Sequence, residues 1–254
     1  MSIVLDENAW AGEAIRTKTL GKKPFETLYR VARFYMDNGK SKNETRLLLD
    51  KFLIQCNPTA SLPKWSVTLD NAIKRASACE AVKIPYITVT DVELDTIKKI
   101  KGVQLQRLAF TLLCLAKYYM TVNPKTDGWV SMPDNEIMHM ANINTSHVRQ
   151  DCMYNTLYEL GLIQLPRRVD STSVKVCFIA DGAEVFRVDN LANLGYQFMM
   201  LNGDKNYYKC ANCRKVVKRK HPASIGGRPP KYCQECSVKI RMRQNINSVM
   251  RLRI

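Results

Sequence analysis

The sequence predicts a mainly α-helical chain with a small amount of β structure, built as a helical N-terminal domain, a central helix-and-hairpin domain and a C-terminal four-cysteine module. Three observations predict it. Capped, helix-periodic segments recur from Pro24 to Leu160, strand-like alternation is confined to short runs, and two Cys-x-x-Cys pairs, Cys210/Cys213 and Cys233/Cys236, lie near the end.

A chain of 254 residues suits two or three domains, and a hydrophobic content of 46% excludes a disordered polymer. The formal net charge is +16, and it is unevenly placed. From Lys205 onward, 14 Lys and Arg face one acid, Glu235, so the last 50 residues carry +13, whereas 25 basic and 22 acidic side chains leave the first 204 at +3. A strongly basic module of this kind attracts phosphate polymers or anionic surfaces. The start, MSIVLDENAWAGEAIRTK, has no signal-peptide pattern, and the longest apolar run, LAFTLLCLA at 108–116, is too short to span a bilayer. The expectation is a soluble, cytoplasmic protein, nucleoid-associated if it binds DNA. Cys56, Cys79, Cys114, Cys152 and Cys177 stand singly among apolar neighbours, as small hydrophobes do. The last four are paired by spacing, which in a reducing compartment points to metal rather than disulfide.

Residues 1–22 show no sustained periodicity and read as a flexible arm. Pro24 fits the first turn of a helix through FETLYRVARFYM that stops at Gly39. Ser41 to Glu44 (SKNE) form a capping box ahead of Leu47, Leu48 and Phe52, and a third helix spans Trp65 to Cys79. A small helical domain over 23–82 follows. The order helix, SKNE helix, KWSVTLDNAIKRA resembles, over 25–79, the helical domains that accompany primase-type replication proteins of phages and plasmids, and this resemblance implies partner binding or self-association. A connecting strand and helix occupy 83–103: IPYITVT, then a second capping box, TDVE at 90–93.

From Gln104 the pattern is more specific. QRLAFTLLCLAKYYM (106–120) is apolar nearly all round and reads as a buried helix. Met132-Pro133-Asp134, with Ser131 as cap, opens a short helix, Asn142-Ile143-Asn144 makes a turn, and Thr145 or Ser146 caps SHVRQDCMYNTLYELGLI. LIQL, a polar turn through Asp170 to Ser173, and VKVCFI then form a hairpin. Helical spacing assigns Val148, Cys152, Leu157 and Leu160 to the core and His147, Gln150, Asp151 and Tyr154 to the wet face. A helix-turn-helix running straight into a hairpin resembles the winged-helix family over 104–180. The resemblance implies that the third helix enters the major groove, with Thr145, Ser146, His147, Arg149, Gln150 and Tyr154 near bases or phosphates, while Arg167, Arg168 and Lys175 on the wing contact phosphates. Winged helices also serve as protein-docking modules, and Asp151 and Glu159 oppose the few basic residues here.

Residues 181–204 read as a connector, and 205–254 as a basic zinc-binding domain. Cys210, Cys213, Cys233 and Cys236 have the spacing of one structural, four-thiolate Zn2+ site, with no open position for catalysis. The run after Cys236 has no breaker, which places the second pair at a helix N-terminus. The order resembles a treble-clef finger, with a hairpin of VVKRK turning toward RPPKY, although a zinc ribbon is the other arrangement of such pairs. A four-thiolate zinc would offset two charges, leaving roughly +11. Arg214, Lys215, Lys218, Arg219, Lys220, Arg228, Lys231, Lys239, Arg241 and Arg243 are therefore candidate phosphate contacts. GGRPP is similar to the Gly-Arg-Pro core of an AT-hook, which implies an arginine in a narrow minor groove.

His139, His147 and His221 fall in no catalytic or metal pattern, and no phosphate-cradling glycine loop or nucleophile elbow occurs. The expected function is a non-enzymatic nucleic-acid-binding protein, DNA before RNA, resembling phage or mobile-element proteins of replication or transcription control. Two alternatives stand beside it: an interaction or inhibitor protein docking on a polymerase, a CRISPR effector or its RNA, and a replication-initiation accessory factor.

Overall fold

The computed structural model describes residues 3–166, 173–221 and 230–251 of the chain, with side chains described as far as Asn245 in the last helix. Arg167, Arg168 and Arg228, and all of the AT-hook-like GGRPP except Pro230, lie outside the described residues. The chain divides at Pro85/Tyr86 into two compact units.

The first unit is helical: α1 (Glu7–Thr17), α2 (Pro24–Asp37), α3 (Lys42–Cys56) and α4 (Leu62–Ala76). Helix α2 is its centre, burying every residue from Thr27 to Arg33. It ends where expected: Gly39, at φ 78, donates its N–H to Met36 O while Lys40 donates to Tyr35 O, the left-handed stop that glycine favours. The SKNE box is present at the start of α3, Ser41 accepting from the Glu44 N–H and Glu44 accepting from the Ser41 N–H. The arm expected over 1–22 is instead helix α1. Asp6 caps it by accepting from Ala9 N, Ala11 is fully buried, and the buried Glu7 accepts from Arg30 Nε at 3.3 Å, from Arg33 Nη1 and from Val82 N at 3.1 Å. The weak apolar periodicity of α1 concealed this, because a buried carboxylate paired with two arginines carries the docking.

The second unit begins with β1 (Ile87–Thr90) and α5 (Asp91–Lys98). Then come the long α6 (Val103–Val122), β2 (Trp129–Ser131), α7 (Asp134–Met140), α8 (His147–Glu159), β3 (Ile163–Gln164) and β4 (Ser173–Val176). The sequence reads β3 and β4 but misses β2, and the antiparallel sheet has the order β2-β4-β3, with Trp129 opposite Lys175 and Ile163 opposite Val176. Ser131, expected to cap α7, is the last residue of β2, and Pro133 holds the cap position.

Helix α6 is the core of this unit. Leu108, Ala109, Phe110, Leu112, Leu113, Cys114, Leu115 and Ala116 are completely buried, and the helix packs against α5, α7, α8, β1, β2 and β4. The stretch read as a connector is structured too. β5 (Glu184–Val188) pairs antiparallel with β1, Ile87 opposite Val188, and α9 (Leu194–Leu201) puts Phe198 against Phe110 with ring centroids 5.4 Å apart. β6 (Tyr207–Lys209), β7 (Val216–Lys218) and α10 (Gln234–Arg251) complete the chain. No helix among the described residues is long and apolar enough to cross a membrane.

The capping box at Thr90 has a second role. Glu93 is wholly buried, and its carboxylate accepts from Thr90 N at 2.9 Å, Lys117 Nζ at 2.7 Å and Ala180 N at 3.2 Å. One side chain thus ties β1, α6 and the segment after β4 together. Removing one partner of a buried ion pair strands the other charge, which costs about 3–5 kcal/mol. Glu93→Ala should lower the urea midpoint accordingly, and the double change Glu93→Leu/Lys117→Met should recover the part due to the stranded Lys117 charge but not the acceptor lost to Thr90 N and Ala180 N. Equal destabilisation by single and double variants would mean the ion pair contributes nothing beyond packing.

Candidate metal centre and basic surface

β6 and β7 form a short hairpin, with Tyr207 opposite Lys218 and Lys209 opposite Val216, and the first cysteine pair is its turn. Cys210 N donates to Lys215 O at 2.9 Å, Arg214 N donates to Cys210 O at 3.0 Å, and Arg214 takes the left-handed conformation at φ 58. This closes the chain tightly enough for both sulfurs to face one point. The second pair arrives on α10: Cys233 directly precedes the helix and Cys236 lies in its first turn, with Ser237 N donating to Cys233 O at 2.9 Å. Ala211 N donates to Lys231 O at 3.0 Å and Tyr208 Oη to Tyr232 O at 3.2 Å, joining the halves beside the cysteines. The partner of β7 is therefore the strand before the knuckle; the expected pairing of VVKRK with the segment leading to Tyr232 is not found among the described residues.

The four sulfurs all lie within 4.8 Å of one another, and Cys213 Sγ is 3.7 Å from Cys233 Sγ. That separation is far beyond a disulfide bond, and it matches the roughly 3.8 Å edge of a tetrahedron with metal–sulfur bonds of about 2.3 Å. Cys210 Sγ accepts from Cys233 N at 3.2 Å and Cys236 Sγ from Asn212 Nδ2 at 3.3 Å, contacts that favour thiolates. For Cys210, burial opposes ionisation, but N–H donation from Cys213, Cys233 and Asn212 outweighs it and pulls the thiol below its usual range. Burial, chiefly, together with the neighbouring sulfurs, pushes Cys213 upward. Four thiols this close need a cation to ionise together. The residues fit one metal ion held by four sulfurs.

The apolar support around the cysteines is slight: Val217 and Tyr232 are the neighbours packed on the cluster among the described residues. Such a core cannot fold so polar a segment alone. Around it the basic side chains spread outward. Lys218, Lys220, Lys231, Lys239, Arg241 and Arg243 are exposed, and of these all but Lys231, which sits over the Tyr232 ring, make no ion pair or ring contact among the described residues. Arg214 and Lys209 pair with Asp189 at 3.3 and 2.6 Å, Lys215 approaches Glu235 at 3.7 Å, and Arg219 is half-buried.

Helix α8 differs from its expected orientation. Its buried residues are Gln150, Met153, Tyr154 and Leu157, whereas Val148 is 73% exposed, Leu160 53% exposed, and Cys152 exposed. Gln150 and Tyr154, expected on the wet face, therefore lie on the covered side of the helix. Gln150 Nε2 donates to Thr145 O at 3.2 Å, bracing the start of the helix. Burial, first, and the Asp134 carboxylate beside it push the Tyr154 phenol upward, and burial raises Asp134 as well. The face left outward carries Ser146, His147, Val148, Arg149, Asp151, Cys152, Asn155 and Tyr158, with Thr145 half-buried at its edge. Lys175 is half-buried in β4 and paired with Asp127 at 2.5 Å, so it is already neutralised.

The residues behind the metal centre carried no signal in the sequence. Asn190 Nδ2 donates to Cys213 O at 3.2 Å and Asn193 Nδ2 to Val216 O at 3.0 Å, both from the stretch read as a connector. No family model matches the chain, and no curated protein or solved structure matches it either.

Proposed function

We propose that the chain is a non-enzymatic nucleic-acid-binding protein in which one structural zinc ion, held by Cys210, Cys213, Cys233 and Cys236 in a treble-clef-like arrangement, orders a surface that grips phosphate. The observation that carries this reading is the set of exposed cations about the cysteine cluster that make no ion pair among the described residues: Lys218, Lys220, Lys239, Arg241 and Arg243. An unneutralised cluster of this density releases counterions on meeting a polyphosphate, which gives affinity with a steep salt dependence and little sequence preference. The second pair sits at a helix start, where the partial positive charge of the N-terminus supports thiolates; this favours a treble clef over a ribbon.

The order α6, β2, α7, α8, β3, β4 with sheet order β2-β4-β3 supports reading 104–180 as a winged helix. With Gln150 and Tyr154 buried, Arg149 is the residue of α8 suited to a base edge or a phosphate. Duplex DNA is the first target. A second reading is favoured for α8 alone: exposed Val148 and Tyr158 beside Asp151 and Glu159 suit a protein partner better than a phosphate backbone.

Binding of the full chain to duplex DNA, structured RNA and single strands, titrated from 50 to 200 mM salt, tests this. Tight, salt-steep binding to duplex is expected; indifference to all three at low salt ends the proposal. Arg149→Ala should shift sequence preference if α8 reads bases, and should leave every nucleic-acid affinity unchanged if α8 docks on protein.

A further inference from the structure

The metal centre and the turn between α7 and α8 are joined by a short chain of side chains. At the turn, Asn142 is left-handed at φ 55; at the start of α9, Asn193 is left-handed at φ 54. Asparagine is one of the few side chains that tolerate this conformation, and here both amides are put to use. Asn142 Nδ2 donates to Asn193 Oδ1 at 3.0 Å, Asn142 Oδ1 accepts from Tyr196 N at 3.1 Å, and Asn193 Nδ2 donates to Val216 O at 3.0 Å. Val216 opens β7, next to Lys215, whose carbonyl closes the first cysteine turn.

Further contacts fix the same turn from α6 and α9 and tie α9 to β6. Arg107 Nε donates to Ala141 O at 3.0 Å and its Nη2 donates to Ala141 O and Asn142 O, capping α7. The backbone of Gly195 lies so close that a Cβ there would sit 1.8 Å from Ala141 O. Tyr196 stacks on Tyr207 of β6 with centroids 4.9 Å apart. The carbonyls of β7 exist in this position only while the cysteine hairpin is folded.

We infer that Asn193 and Asn142 are positioning residues through which metal occupancy of the four-cysteine site fixes the turn ahead of α8, so that loss of the metal loosens the α7–α8 turn as well as the tail. This rests on the metal-site reading above. In functional terms, loss of the metal by chelation would disarm two surfaces at once: the basic module directly, and α8 through its turn.

Hydrogen exchange on the full chain, with zinc and after chelation, reads the coupling. Chelation should speed exchange in 205–220 and, by about tenfold, in segments 138–150 and 190–200, where Ile143 N–H donates to Met138 O and Tyr196 N–H to Asn142 Oδ1. Asn193→Gly keeps the left-handed backbone and removes only the amide. It should retain about one zinc per chain, by metal analysis, while the extra exchange in 138–150 on chelation falls below about a third of the unmodified value; Asn142→Gly should do the same. If chelation opens 205–220 and leaves 138–150 unchanged, or if Asn193→Gly responds as the unmodified chain does, the coupling is wrong and the metal site stands. If the unmodified chain binds no metal, the metal-site reading itself falls.

Discussion

Cys236→Ser should leave the protein without stoichiometric metal and with residues 205–251 unfolded, while the first unit keeps its helices. Serine presents a hydroxyl that stays protonated, so the fourth corner of the tetrahedron becomes neutral and weakly bound. Structural zinc sites in small peptides contribute on the order of 10–16 kcal/mol, far more than Val217 and Tyr232 could supply by packing. Metal analysis should fall from about one ion per chain to near zero. The loss of the β6–β7 hairpin should appear as amide exchange at the unprotected rate for Tyr208 and Val217. A Cys236→Ser protein that kept both its metal and its hairpin protection would show that three sulfurs suffice and that the site is not a closed structural one.

The second large effect is electrostatic. Changing Lys218, Lys220, Lys239, Arg241 and Arg243 together to alanine removes five exposed cations and touches none of the contacts described around the cysteines. If each meets a phosphate, the slope of log affinity against log salt should drop by about 4–5, and duplex affinity at 50 mM salt should fall by on the order of a hundredfold or more. Metal content should not change. A slope that fell by less than about 1 would place the phosphate contacts elsewhere, and a binding loss accompanied by metal loss would assign the effect to folding.

Local features were legible in the sequence to the extent that their physics is local. Both capping boxes, Ser41 with Glu44 and Thr90 with Glu93, need four residues and are present. The cysteine pairs are equally short-range. The phase of α8 was not legible, because a helix with Val148 and Cys152 on one side and Gln150, Met153 and Tyr154 on the other has little contrast, and α6 and the sheet decide which side is covered. Tyr154 is buried near Asp134, 20 residues earlier, with no hydrogen bond made by its hydroxyl among the described residues, a placement that no periodicity reveals. The same holds for α1, docked through Glu7 on Arg30 and Arg33, and for the asparagines behind the metal centre.

The pairing of β1 with β5 bears on how the chain is made. Ile87 waits for Val188, about 100 residues later, so at a synthesis rate of about 5–20 residues per second the newborn strand has no partner for roughly 5–20 s. During that interval ITVT offers an open edge to any neighbouring chain, next to a carboxylate, Glu93, whose acceptor bond from Ala180 is also still unmade. Crowded expression should therefore yield aggregates seeded by the middle of the protein rather than by its charged tail, and slower elongation between Thr90 and Glu184, which lengthens the wait, should lower the soluble yield.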